Sequence, residues 1–169
     1  MPEHSFADFD LHEILDANLQ NMGFTDPSPI QDQSIMQGMA GKDIVGIADT
    51  GTGKTAAFAL PTIHRLITES ETKAIILAPT RELAEQIEQQ CRKLGKNSGL
   101  NSALLIGGGS MGGQLSDLRQ DPRVVIGTPG RIKDHLKRGS LNLSGFNITV
   151  LDEVDRMLDM GFVHDITEI

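Results

Sequence analysis

Eight residues, ADTGTGKT at positions 48–55, constrain this chain more than any other feature. They follow the apolar run DIVGIA at 43–48 and lead into a helical pattern, so the loop 49–53 must turn a strand into a helix. Glycines at 51 and 53 let successive backbone N–H groups face one side and approach a ligand closely. A helix that starts near Lys54 adds the positive end of its dipole at the same point. Lys54 supplies a charge for the β- and γ-phosphates, and the Thr55 hydroxyl a ligand for Mg²⁺. Residues Asp49, Thr50, Gly51, Thr52, Gly53, Lys54 and Thr55 are therefore read as a cradle for the phosphates of a nucleoside triphosphate. The general pattern begins with Gly, where this chain has Ala48.

The rest of the chain repeats that alternation. Short apolar runs at 43–48, 73–78, 102–106, 123–127 and 148–152 are bounded by Gly, Pro or polar turn residues, as strands buried on both faces are. Helical patterns lie between them at 55–68, 81–93, 113–119 and 131–137. In the second of these, Leu83, Ile87, Cys91 and Leu94 mark one face, with Thr80 as N-cap and Gly95 as stop. Pro61 falls inside the first, where it is expected to bend the helix. Strand followed by helix, repeated, gives right-handed crossovers and a parallel sheet with helices on both faces. Ligands then bind at the carboxyl ends of the strands.

Composition narrows the function. With no Tyr or Trp, rows of stacking aromatics for nucleic-acid bases are excluded, and a net charge of −8 argues against a general polyanion binder. The charge is uneven. Arg119, Arg123, Arg131, Lys133, Lys137 and Arg138 form a basic stretch, whereas the segment 152–169 is acidic. A single cysteine, Cys91, suits a reducing compartment, and the five histidines lack metal-ligand spacing. No apolar run reaches membrane-spanning length and no signal peptide is seen, so cytoplasmic placement is expected, with no membrane partner.

A second chemical pair lies at the far end. The run ITVL delivers Asp152 and Glu153 at a strand's carboxyl end. One carboxylate, Asp152, is assigned to the magnesium shell, and the other, Glu153, to orienting and deprotonating the attacking water. With Lys54 they form the expected catalytic set, and with Thr55 Asp152 forms the expected Mg²⁺ set, partly through water.

Taken together, these segments resemble the first RecA-like domain of DEAD-box ATP-dependent RNA helicases over essentially the whole chain. GFTDPSPIQ at 23–31 looks like the family's adenine-reading Q motif. The resemblance implies that Gln31 reads adenine, which its amide can do by donating and accepting together. It implies adenine contacts for Phe6 and Phe24 as well, with Phe9 as a rival to Phe6. ADTGTGKT includes the family's alanine in first place. PTREL, Pro79 to Leu83, resembles motif Ia (with Pro79, Thr80 and Arg81 as its implied contacts), Gly107–Gly108 with Gln114 the GG motif, and Thr128, Pro129, Gly130 and Arg131 motif Ib. In the family these three hold the sugar-phosphate backbone of single-stranded RNA, so RNA is an expected partner, bound largely without regard to sequence. DEVD at 152–155 stands where the family has DEAD, with Val154 for alanine.

The resemblance implies an α/β, RecA-like P-loop fold, with a Q-motif region at 1–40 and an ATPase core at 41–169. ATP and Mg²⁺ are the implied cofactors. It further implies a strand past Ile169 ending in a Ser-Ala-Thr motif, and a second RecA-like domain with arginine fingers. The 169-residue chain alone is therefore expected to bind nucleotide with little turnover. A DNA-directed relative carrying DExD is the competing reading, and the Q motif favours RNA.

Overall fold

A computed structural model describes residues 2–169. The chain divides into two compact units, one formed by residues up to Ser70 with Gln90–Gly99, the other by Glu71–Gln89 with Leu100–Ile169.

The first unit is helical. A short 3₁₀ turn, Phe6–Phe9, precedes α1 (Glu13–Asn21), α2 (Pro29–Met39) and α3 (Lys54–Thr68). Pro29 stands at the first position of α2, where its missing N–H costs nothing. Pro61 lies buried within α3, which runs unbroken through it. A side chain at Gly38 in α2 would meet the Pro61 ring at 2.9 Å, so the absence of one lets α2 and α3 close together. Asn18, buried on α1, donates to the carbonyls of Leu94 (2.6 Å) and Lys96 (2.9 Å) and ties that helix to the segment after α4.

The run 43–48 departs from expectation. Its residues form no regular element and pair with no strand among the described residues, and Val45 and Ile47 are each 93% exposed. An apolar β-branched run reads as a buried strand whatever its surroundings, whereas pairing needs a neighbour with free backbone groups beside it.

The second unit carries the sheet: β1 (Lys73–Leu77), β2 (Ser102–Leu105), β3 (Val124–Gly127) and β4 (Phe146–Leu151), all parallel in the order β2-β3-β1-β4. The helices are α4 (Arg81–Leu94, which continues into the first unit), α5 (Met111–Arg119), α6 (Pro129–Arg138), α7 (Val154–Asp159) and α8 (Val163–Glu168). Ile75, Leu77, Ala103, Leu105 and Val125 pack with Ile132 of α6 and Met157 of α7 in one buried cluster, flanked by Phe162 and Ile166. Strands β1 and β3 are buried almost throughout, as interior parallel strands should be, whereas β4 alternates and leaves Leu151 exposed.

The register positions the site. Leu77 is opposite Gly127 on one side and Leu151 on the other, and Gly127 is opposite Leu105. The ladder runs one step further through Ala78 N to Gly127 O (3.0 Å), Thr128 N to Leu105 O (3.1 Å) and Asp152 N to Leu77 O (3.0 Å). Every strand therefore releases its chain at the same edge, where the expected ligand residues begin.

Candidate nucleotide and nucleic-acid sites

In the first unit the phosphate loop has the backbone its sequence requires. Gly51 and Gly53 adopt φ of +82° and +85°, which a side chain would strain. The Thr52 hydroxyl donates to Asp49 O at 2.6 Å and closes the turn. Gly53 caps α3 without a side-chain bond, and no acid stands in the first turn. The free N–H groups at that helix start, with Lys54 and Thr55 as its first residues, make an electropositive end suited to phosphate.

Gln31 faces this loop from α2. It is only 3% exposed; its Oε1 accepts from Ser28 N (2.9 Å) and its Nε2 donates to Gly53 O (3.1 Å). Gln31 thus ties the start of its own helix to the glycine loop before α3. Beside it the Ser28 hydroxyl is buried with no hydrogen-bond partner. Sequence reasoning passed over Ser28, although its place three residues before Gln31 is a capping pattern.

Phe6 is buried and sits edge-on to both Phe9 and Phe24, with ring centroids 5.8 Å apart in each pair. The two rivals for one role are therefore neighbours in a three-ring cluster. The cluster is latched to α2 through Asp32, which accepts from Glu3 N (2.6 Å) and pairs with His4 Nδ1 (2.7 Å). The Glu3 amide and then His4 hold the Asp32 carboxyl below its usual range.

In the second unit the three expected RNA-contacting segments meet. A side chain at Gly108 (φ +76°) would fall 2.6 Å from Arg81 Nη1, so the arginine at the start of α4 lies over the glycine turn after β2. Thr80 caps α4 by accepting from Leu83 N at 3.3 Å, as its sequence position predicts. Pro79 is buried, whereas Gly130 at the start of α6 is exposed. Pro129 is the first residue of α6, and Thr128 precedes it with no side-chain cap bond, which leaves its hydroxyl available.

Gln114 points inward. It is 5% exposed, donates to Ile106 O (2.9 Å), and accepts from Arg131 Nη1 (3.3 Å), with His135 Nε2 at 2.7 Å. Its amide holds the glycine turn against α6 from beneath.

At the end of β4, Asp152 is nearly buried and its Oδ1 accepts from Glu153 N at 3.0 Å. Glu153 adopts a left-handed backbone, φ 51° and ψ 53°, and its carboxylate accepts from Arg156 Nη1 at 3.3 Å. A non-glycine residue in that region stores strain of about 1–3 kcal/mol, a common mark of functional positions. Among the described residues no cluster of three metal-ligating side chains occurs, and no helix is long and apolar enough to cross a membrane.

Comparison with known proteins agrees with this geometry. Residues 28–169 match the DEAD/DEAH box helicase family. The chain is 43% identical over 166 residues to the DEAD-box ATP-dependent RNA helicase CshA of Bacillus licheniformis, covering 98% of this chain and 34% of that protein. It is 45% identical over 165 residues to the DEAD-box ATP-dependent RNA helicase RhpA of Helicobacter pylori, with the same coverage of each. Among solved structures, a DEAD box protein from Methanococcus jannaschii superposes with a TM-score of 0.91 at 39% identity, over 97% of this chain and 45% of that one. The chain thus spans about a third of the length of the curated relatives it matches.

Proposed function

Because the chain belongs to the DEAD/DEAH box helicase family, we propose that it is the ATP- and RNA-binding part of an RNA-dependent ATPase that locally opens RNA duplexes together with a second RecA-like domain. The observation that carries the reading is the convergence of Arg81, Gly108 and Arg131 on one sheet edge, with exposed turns and helix starts that suit a phosphate backbone. This face lacks aromatic platforms, so it would grip RNA without reading bases.

For the nucleotide, residues Asp49, Thr50, Gly51, Thr52, Gly53 and Lys54 would surround phosphates, with Thr55 and Asp152 serving Mg²⁺. Adenine falls to Gln31, with Phe6 and Phe24 behind it. The uncapped start of α3 and the orphaned Ser28 hydroxyl are spare donors beside Gly53, which fits a bound nucleotide. Bound ATP with Mg²⁺ supplies the phosphoryl group whose transfer to water drives the cycle. Glu153 would hold and deprotonate that water, and Lys54 would balance charge growing on the departing phosphate. A reducing compartment such as the cytoplasm suits the single cysteine.

Two measurements test the reading. Calorimetry on the 169-residue chain should find ADP bound more tightly than GDP, and the preference should vanish in Gln31→Ala. Equal affinities in the unaltered chain would sink the adenine assignment. In the whole protein, ATP turnover should rise with single-stranded RNA, whereas stimulation by DNA alone would favour a DNA-directed enzyme. The chain by itself is expected to turn over little ATP, because arginine fingers from a second domain contribute about 10³–10⁵ in rate.

A further inference from the structure

Beneath the glycine turn the buried polar contacts of Gln114 continue through His135 to Ser140. Gln114 Nε2 donates to Ile106 O at 2.9 Å, which fixes which end of the amide points where. Its Oε1 therefore faces His135 Nε2 at 2.7 Å and Arg131 Nη1 at 3.3 Å. A carbonyl oxygen only accepts, so the imidazole must present a proton on Nε2. Its Nδ1 lies 2.7 Å from Ser140 Oγ, just past α6, whose single proton serves that nitrogen and the His135 carbonyl at 3.1 Å between them. His135 is 0% exposed. Burial, then the charges of Arg131 and Arg138, hold its pKa below the ordinary histidine range, with Asp134 opposing, and the neutral tautomer follows.

From this geometry we infer that His135 is a positioning residue for RNA binding, locking Gln114 so that the Gly107–Gly108 turn and Arg131 keep one fixed spacing. The relay has no slack. A side chain at Gly109 would sit 2.9 Å from Gln114 Nε2, so turn and amide are packed face to face. Without the imidazole N–H, Oε1 would keep only the long bond from Arg131. The amide would then be free to swing and release Ile106 O and the turn with it. Such a role rests on the RNA-face reading above, since it acts only through groups placed on that face.

The experiment is fluorescence anisotropy with a labelled single-stranded oligouridine, run beside ADP calorimetry on the same samples of the chain. His135→Leu, which keeps the volume and removes both ring nitrogens, should weaken RNA binding about tenfold, the usual cost of a buried acceptor left unpaired. ADP affinity should not change. His135→Gln, which restores a donor at the Nε2 position, should recover binding to within about threefold. If Arg81→Ala and Arg131→Ala weaken binding while His135→Leu binds like the unaltered chain, the role of His135 is overturned and the RNA face stands. If neither arginine variant matters, the face itself is overturned. Should His135→Leu fail to fold, long-range ¹H–¹⁵N spectra of the unaltered chain decide instead: an Nε2–H tautomer at neutral pH supports the relay, and an Nδ1–H tautomer overturns it.

Discussion

Gln31 donates through Nε2 to the carbonyl of Gly53 at 3.1 Å, joining the start of α2 to the glycine loop before α3 by a single hydrogen bond. The same nitrogen would collide with any side chain at position 53, where φ is already +85°. Gln31→Glu keeps the shape but sets a carboxylate against that carbonyl in a buried place. It should lower unfolding stability by about 2 kcal/mol, the range for a buried group left without its partner. Gly53→Ala should do at least as much, because it adds backbone strain of about 1 kcal/mol to the collision. Urea titration of both variants checks this, and midpoints equal to that of the unaltered chain would mean the bond is absent in solution.

How much of this was visible beforehand depends on the range of the interaction. Runs at 73–78, 102–106 and 123–127 became β1, β2 and β3 because their apolar content and flanking turns are local properties. Thr80 and Gly95 bounded α4 for the same reason, since caps are chosen within a few residues. The run 43–48 carried the same local signal and pairs with no strand among the described residues, because a ladder is a property of two segments. His135 gave no signal at all. Its partners Gln114 and Ser140 lie 21 and 5 residues away, and only the packing of α5 on α6 brings the first within reach. Arg81 over Gly108 is a further case of a meeting that strand order creates.

Glu153 pays in backbone strain for its position after β4. Replacing it with glycine would relieve the left-handed conformation, at the loss of an exposed contact with Arg156 that is worth little. Glu153→Gly should therefore gain about 1 kcal/mol of stability. In the whole protein it should abolish RNA-stimulated ATP turnover. Glu153→Gln should lose the turnover without the gain. Stability by urea titration, read beside phosphate release, separates the two effects; a Glu153→Gly variant no more stable than Glu153→Gln would show that no strain is stored there.

Two histidines make the fold sensitive to acid. Burial comes first among the causes that lower the pKa of both His64 on α3 and His135 on α6. His64 Nδ1 accepts from the His12 N–H at 3.1 Å, a bond that protonation of that nitrogen removes. A histidine with a depressed folded value binds fewer protons folded than unfolded. Its contribution is therefore present above 6.5, the ordinary value, and is lost as pH falls through the lower folded one. Thermal melts should shift down as pH is lowered from 6.5 towards those lower folded values, and more shallowly in His64→Gln, where one of the two groups is gone. A melting temperature that stays flat or rises on mild acidification would contradict buried neutral imidazoles.

The exposed run 43–48 offers backbone and side chains together to any passing strand. Ile44, Val45 and Ile47 are β-branched, uncharged and solvent-facing, and their segment has no ladder partner among the described residues. Strand β4 ends the sheet with Leu151 also exposed. Both features match the pattern that drives edge-to-edge association. Val45→Lys and Ile47→Lys, each adding a charge where the side chain meets water, should keep the chain monomeric to higher concentration in sedimentation velocity. Because those side chains are almost fully exposed, unfolding stability should move by no more than about 0.5 kcal/mol. A large loss of stability in either variant would mean instead that the run is paired and covered in solution.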